Sequence, residues 1–169
     1  MKAKILGAVL AAACSLATGW AQTPITPQAA LEKLKGLAGE WKGSVRGDES
    51  TPVTVSYRVT ANNSVVIETM FAGAPHEMVT AYHMNGDQLM MTHYCSAGNQ
   101  PQMVLDRHSG ADRLIFNFAG GTNLNPAKDE HVHNLRIRWV NNGSIESEWD
   151  GYKDGKLAET TTFVLTRKK

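Results

Sequence analysis

The chain is short of the side chains and patterns that usually announce an activity. It has two cysteines in 169 residues. One, Cys14, lies in an apolar leader, so residues 22–169 hold Cys95 alone and cannot close an intrachain disulfide. That excludes a disulfide-stapled scaffold. Gly-x-Gly-x-x-Gly, Cys-x-x-Cys, His-Glu-x-x-His and nucleophile-elbow motifs are all absent, which removes the motif grounds for dinucleotide binding, a zinc ribbon, a zincin or an α/β-hydrolase. No charge of one sign dominates: 17 basic residues face 16 acidic ones. Without Lys2 and Lys4 of the leader the basic count is 17 − 2 = 15, against the same 16. Nothing there steers the protein to nucleic acid or an anionic membrane, and the basic residues are dispersed with no interleaved aromatic stripe. No segment beyond the leader is apolar enough to span a bilayer. Repeats and low-complexity tracts are missing as well.

Residues 1–21, "MKAKILGAVLAAACSLATGWA", have the three parts of a secretory signal. Lys2 and Lys4 precede an apolar run from Ile5 to Leu16, and Gly19 and Ala21 supply the small residues before a cut at Gln22. The expected location is therefore periplasmic or secreted. "LAAAC" at Cys14 faintly resembles a lipobox, with its leucine one place too far upstream, so lipoprotein anchoring is the lesser alternative. Residues 22–39 read as a polar leader and one short helix. Thr26 caps it, Pro27 suits its first turn, Gly36 or Gly39 ends it, and Leu31, Leu34, Leu37 and Ala38 form its apolar stripe.

From residue 40 to 169 the period is two. Ten strands are expected, at about 40–46, 52–60, 65–71, 76–84, 88–96, 102–108, 113–118, 131–140, 144–152 and 157–167, divided by turns such as "ANNS", "NGD", "NNG" and "KDG". There is no βαβ alternation. A meander this long hides its edges by closing, so the expected fold is all-β, an up-and-down antiparallel β-barrel of about ten strands with a short N-terminal helix.

The turns set which faces point inward. A two-residue turn at Asn85-Gly86 or Gly86-Asp87 puts His76, Met78, Thr80 and Tyr82 on one face with Leu89, Met91, His93 and Cys95. A three-residue loop with Gly143 left-handed pairs Arg138 with Glu146 and Arg136 with Glu148 outside, turning His131, His133, Leu135, Ile137 and Trp139 inward beside Ile145, Ser147 and Trp149. The "ANNS" hairpin groups Val53, Val55, Tyr57 and Val59 with Val66, Glu68 and Met70. The last hairpin brings Phe163, Leu165 and Arg167 to the side of Ile145. The resulting lumen is walled by Met, Leu, Val and Trp and contains Tyr57, Glu68, Tyr82, His93, Cys95, His131 and His133.

Two short motifs then resemble a known superfamily. "LAGEWKGS", with Gly39 and Trp41, resembles the Gly-x-Trp opening of lipocalin-like (calycin) barrels. "FVLTRKK" places Arg167 where those barrels close by packing an arginine over the early tryptophan. "VIETMFAGAPHEMVTAYH" through "MTHYCSAGNQPQM" resembles small exported bacterial lipocalin-like proteins of unknown function. The resemblance implies the fold and assigns no activity. Related haem barrels of the nitrobindin type ligate iron through a histidine near the C-terminus; "TTTFVLTRKK" has none, so no haem ligand carries over.

Several chemistries fit the inward residues. His93, His131, His133 and Glu68 could offer three imidazoles and a carboxylate to a divalent metal, against the plainer alternative of hydrogen-bonded interior histidines. Cys95 with His93 or His76 could form a thiolate–imidazole pair, against a buried thiol. Glu68 beside Tyr57 could be a general base, against a carboxylate bonded to its neighbours. Met78, Met91, Trp139 and Trp149 read as pocket wall. Asn99, Gln100 and Asn123 fall in loops that could rim the opening, and His83 and His108 on outer positions. The leading expectation is a barrel binding a small, largely apolar ligand. A metal-dependent or acid–base enzyme in the same lumen and a non-catalytic envelope interaction protein are the alternatives.

Overall fold

The structure, a computed structural model, describes residues 24–169. The leader expected over 1–21, with Cys14, lies outside the described residues. Helix α1 (Pro27–Lys35) begins where the Thr26 hydroxyl accepts the Ala29 N–H at 3.2 Å, with Pro27 in the first turn. It ends at Gly36, whose N–H returns to the Glu32 carbonyl at 3.2 Å. Ala30, Leu31 and Leu34 form its buried stripe.

Ten strands follow: β1 (Gly39–Val45), β2 (Asp48–Thr60), β3 (Val65–Met70), β4 (Met78–Asn85), β5 (Gln88–Tyr94), β6 (Gln100–Leu105), β7 (Arg113–Thr122), β8 (His131–Asn141), β9 (Ser144–Lys153) and β10 (Lys156–Arg167). Each pairs antiparallel with its neighbours in sequence, and β1 pairs with β10, so the sheet closes as an up-and-down barrel. Closure removes every free edge that a ten-strand meander would otherwise expose. Among the described residues no helix is long and apolar enough to cross a membrane.

The seam between β1 and β10 is held by the residues the sequence placed there. Trp41 stands opposite Arg167. The guanidinium lies 4.5 Å from the indole centroid, and its Nη1 and Nη2 donate to the carbonyls of Ala38 (2.6 Å) and Gly36 (2.7 Å). One side chain thus caps the helix C-terminus, satisfying carbonyls left open there, and locks the seam. Gly43 is the closest approach: a Cβ there would sit 1.8 Å from the Val164 carbonyl oxygen.

The helix plugs one end. Lys33 of α1 lies over the Trp139 ring at 4.1 Å, and the Trp41 indole donates to the Leu37 carbonyl at 2.8 Å. Behind this plug the barrel is solid with Trp41, Leu89, Met91, Met103, Phe116, Leu135, Ile137, Ile145 and Leu165, each almost fully buried. On the outer face Arg136 binds Glu148 at 2.7 Å and the buried Asp150 at 2.7 and 2.8 Å, as the cross-strand pairing of β8 and β9 demands.

Three expectations need correction. Gly143 is not left-handed. The expected pairs Arg138–Glu146 and Arg136–Glu148 form instead through a register shift between Trp139 and Asn141, which absorbs the extra residue as a bulge and leaves a two-residue turn. A second shift, between Val132 and Asn134, breaks the alternation at His133. His131 and His133 therefore do not continue the inward row of Leu135 and Ile137. His76, expected inward, lies exposed before β4 and packs on Phe71, ring centroids 4.7 Å apart.

Candidate functional site

The interior polar residues form a line across the sheet. Tyr57 on β2 stands opposite Glu68 on β3, Glu68 opposite Thr80 on β4, and Thr80 opposite His93 on β5. All four are buried. The Tyr57 hydroxyl donates to Glu68 Oε1 at 2.8 Å, and Tyr82, two residues along β4 from Thr80, donates to Oε2 at 2.6 Å. Thr80 Oγ1 lies 2.9 Å from His93 Nδ1. Such a row satisfies a carboxylate that burial would otherwise strongly penalise.

Electrostatics follow from that burial. Desolvation raises the Glu68 carboxyl above the ordinary range, and hydrogen bonds from Tyr82, Tyr57 and Thr80 pull it back. Desolvation, then the adjacent Glu68 charge, pushes both phenols well above their usual value. Each phenol proton has the carboxylate as its acceptor, so the ionised form of Glu68 satisfies both at once. Burial lowers His93 to about 4, so its imidazole is neutral near pH 7. Its other ring nitrogen, Nε2, is buried and has no hydrogen-bond partner among the described residues.

His93 forms part of the wall of a cavity of about 440 Å³ at the end of the barrel opposite the helix. Trp149 packs on the imidazole with centroids 4.9 Å apart, its own N–H bonded to Ser147 at 2.8 Å. Met70, Met78, Val132 and Phe163 complete an apolar wall, and Glu130, Lys153 and Glu159 bring charge to the rim. Lys153 and Glu130 approach to 3.6 Å there. Small residues make the room: Gly151, Ala97 and Ala158 line this end, where the helix end has large aliphatic and aromatic side chains.

The sequence-expected residues separate into three groups. Met78, His93, Cys95, His131 and Trp149 line the cavity. Tyr57, Glu68, Tyr82 and Met91 are buried but not in its wall, the first three belonging to the polar row. Trp139 lies against Lys33 of the helix. Cys95 is half-buried just past β5, its sulfur accepting the Ala97 N–H at 3.5 Å.

The histidine pair takes a different role from the one expected. His131 Nδ1 donates to the Asp129 carbonyl at 2.8 Å, and its Nε2 lies 3.1 Å from His133 Nδ1. The His133 ring is sandwiched between Tyr152 (3.9 Å) and Phe118 (4.5 Å). Burial, and then His131, lowers its basicity. Among the described residues no group of three or more His, Cys, Asp or Glu side chains is arranged to hold a metal ion. His93, His131, His133 and Glu68 accordingly do not assemble as one ligand set: Glu68 is taken by tyrosines and the paired imidazoles bond each other.

Thr80 and Asn99 do more than the sequence indicates, which is an inward-facing position for Thr80 and a loop at the opening for Asn99. Thr80 stands opposite Glu68 on one side and His93 on the other, 2.9 Å from His93 Nδ1, and Asn99, buried, ties the loop after β5 to the Glu130 carbonyl at 2.8 Å. Thr80 was visible on the inward face, but its place opposite Glu68 depends on the irregular connection over 71–77, which carries no simple turn signature. The chain matches no family model and no curated protein.

Proposed function

We propose that the protein is a lipocalin-like barrel that binds a small, largely apolar molecule in the cavity at its open end. The observation that carries this is a cavity of about 440 Å³ with a mainly apolar wall and one buried, unpartnered polar atom, His93 Nε2. That size and that balance of apolar wall to a few polar groups are typical of small-molecule sites. The Gly39, Trp41 and Arg167 arrangement at the seam supports the lipocalin-like assignment, and the signal pattern in residues 1–21 supports an exported protein.

The test is titration with N-phenylnaphthylamine, an apolar fluorophore that brightens in a dry site. Saturable one-to-one binding is expected, together with its loss in Met78→Trp, which fills the cavity. Absence of binding to the unaltered protein, or equal binding to the filled variant, refutes the reading.

A further inference from the structure

We infer that the cavity selects neutral amphipathic molecules carrying a hydroxyl hydrogen-bond donor, with the donor directed to His93 Nε2. The inference rests on the cavity being a ligand site and adds the chemical class of its occupant.

The argument runs along the polar row. Thr80 has one hydroxyl proton and faces two groups that could accept it: Glu68, directly opposite on β3 and named among its hydrogen-bond partners, and the imidazole of His93 at 2.9 Å. A hydrogen bond to an ionised acceptor is roughly twice as strong as one between neutral groups. The proton therefore goes to Glu68, which the Tyr57 and Tyr82 hydroxyls already favour as the anion. Thr80 Oγ1 is then left to accept, and at 2.9 Å it accepts from His93 Nδ1–H. A neutral imidazole with its proton on Nδ1 has a bare lone pair on Nε2. The chain of donors, His93 to Thr80 to Glu68, thus fixes the tautomer from two strands away.

A buried acceptor of this kind discriminates by chemistry. It favours a donor and gains nothing from an ether or ketone oxygen, whose lone pairs oppose its own. A carboxylate meets the same repulsion, with the Glu68 anion behind it. The wall of Met70, Met78, Val132, Trp149 and Phe163 is apolar, and the rim cation Lys153 is already faced by Glu130 at 3.6 Å, which favours a neutral molecule. Nε2 lies beneath the surface. Met70 and Met78, unbranched and adaptable, are the wall residues that can yield to admit the hydroxyl.

Calorimetric titration with three molecules of like size tests this: an octanol, the octanone of the same skeleton, and methyl heptyl ether. The alcohol is expected to bind roughly tenfold or more tightly than the other two, and the preference is expected to collapse in His93→Leu. Nitrogen NMR of the His93 ring in the unaltered protein reads the tautomer without any variant, and an unprotonated Nε2 is expected. Equal affinities for all three, a ketone binding as well as the alcohol, or a proton found on Nε2 overturns the donor inference while leaving the cavity reading intact. No binding by any of the three or by N-phenylnaphthylamine overturns both.

Discussion

Acid should destabilise this protein through one residue above all. Burial holds the His93 imidazole at about 4, against an ordinary 6.5. Above pH 6.5 the ring is neutral in both the folded and the unfolded chain and contributes no pH dependence. Between 6.5 and 4 the unfolded chain takes up a proton that the folded one refuses, so stability falls as pH falls; below 4 both are protonated and the loss is complete. The gap of 6.5 − 4 = 2.5 units corresponds to about 3 kcal/mol, with roughly 2.5 kcal/mol of it lost by pH 4.5. Glu68 works the other way: its raised value means that the folded chain holds the extra proton, so its contribution grows as pH falls toward the unfolded value. Replacing His93→Leu isolates the first effect, because Glu68, His131 and His133 remain in both proteins. Urea unfolding at about pH 7.5 and 4.5 gives the four stabilities required, and unchanged urea slopes validate the comparison. Loss of the Thr80 bond shifts the variant at both pH values and cancels in the difference. The unaltered protein should lose about 2.5 kcal/mol more than the variant between the two pH values. Parallel losses, within about 0.5 kcal/mol, would show that His93 titrates normally and is not desolvated as described.

Two further predictions address closure. Arg167→Met removes the guanidinium from the Trp41 ring together with its two charged bonds to Ala38 and Gly36, and should cost about 2–4 kcal/mol in urea unfolding; a loss below about 0.5 kcal/mol would refute the seam-lock assignment. Gly43→Ala drives a methyl against the Val164 carbonyl, so loss of a cooperative transition, or at least about 4 kcal/mol, is expected. Gly143→Ala is the control, since its Cβ meets nothing closer than 3.8 Å and its backbone is not left-handed; it should stay within about 0.5 kcal/mol.

The parts of the site readable in advance were those set by local turns. Gly86, with φ of 60°, lies in the two-residue turn between Asn85 and Gln88 and thereby puts Thr80 opposite His93. The turn over Ala61–Ser64 likewise puts Tyr57 opposite Glu68. Each follows from a period of two counted outward from a recognisable bend. The count fails where a residue is inserted without a local signature. His133 sits at such an insertion, so its expected partnership with His93 gives way to a bond with His131 and a stack between Phe118 and Tyr152.

The sequence by itself determined the strand number, most strand boundaries, the short N-terminal helix and the arginine–tryptophan seam, because each rests on side-chain period, turn chemistry or a short motif. Only the tertiary structure decided that Tyr57, Glu68, Thr80 and His93 share one row, that the cavity lies at the end away from the helix, and that one imidazole nitrogen is left without a partner. The reason is geometric. A cross-strand row and a cavity at the barrel mouth are properties of several strands closed at one register, and bulges and irregular loops set that register by packing rather than by residues near them in the chain.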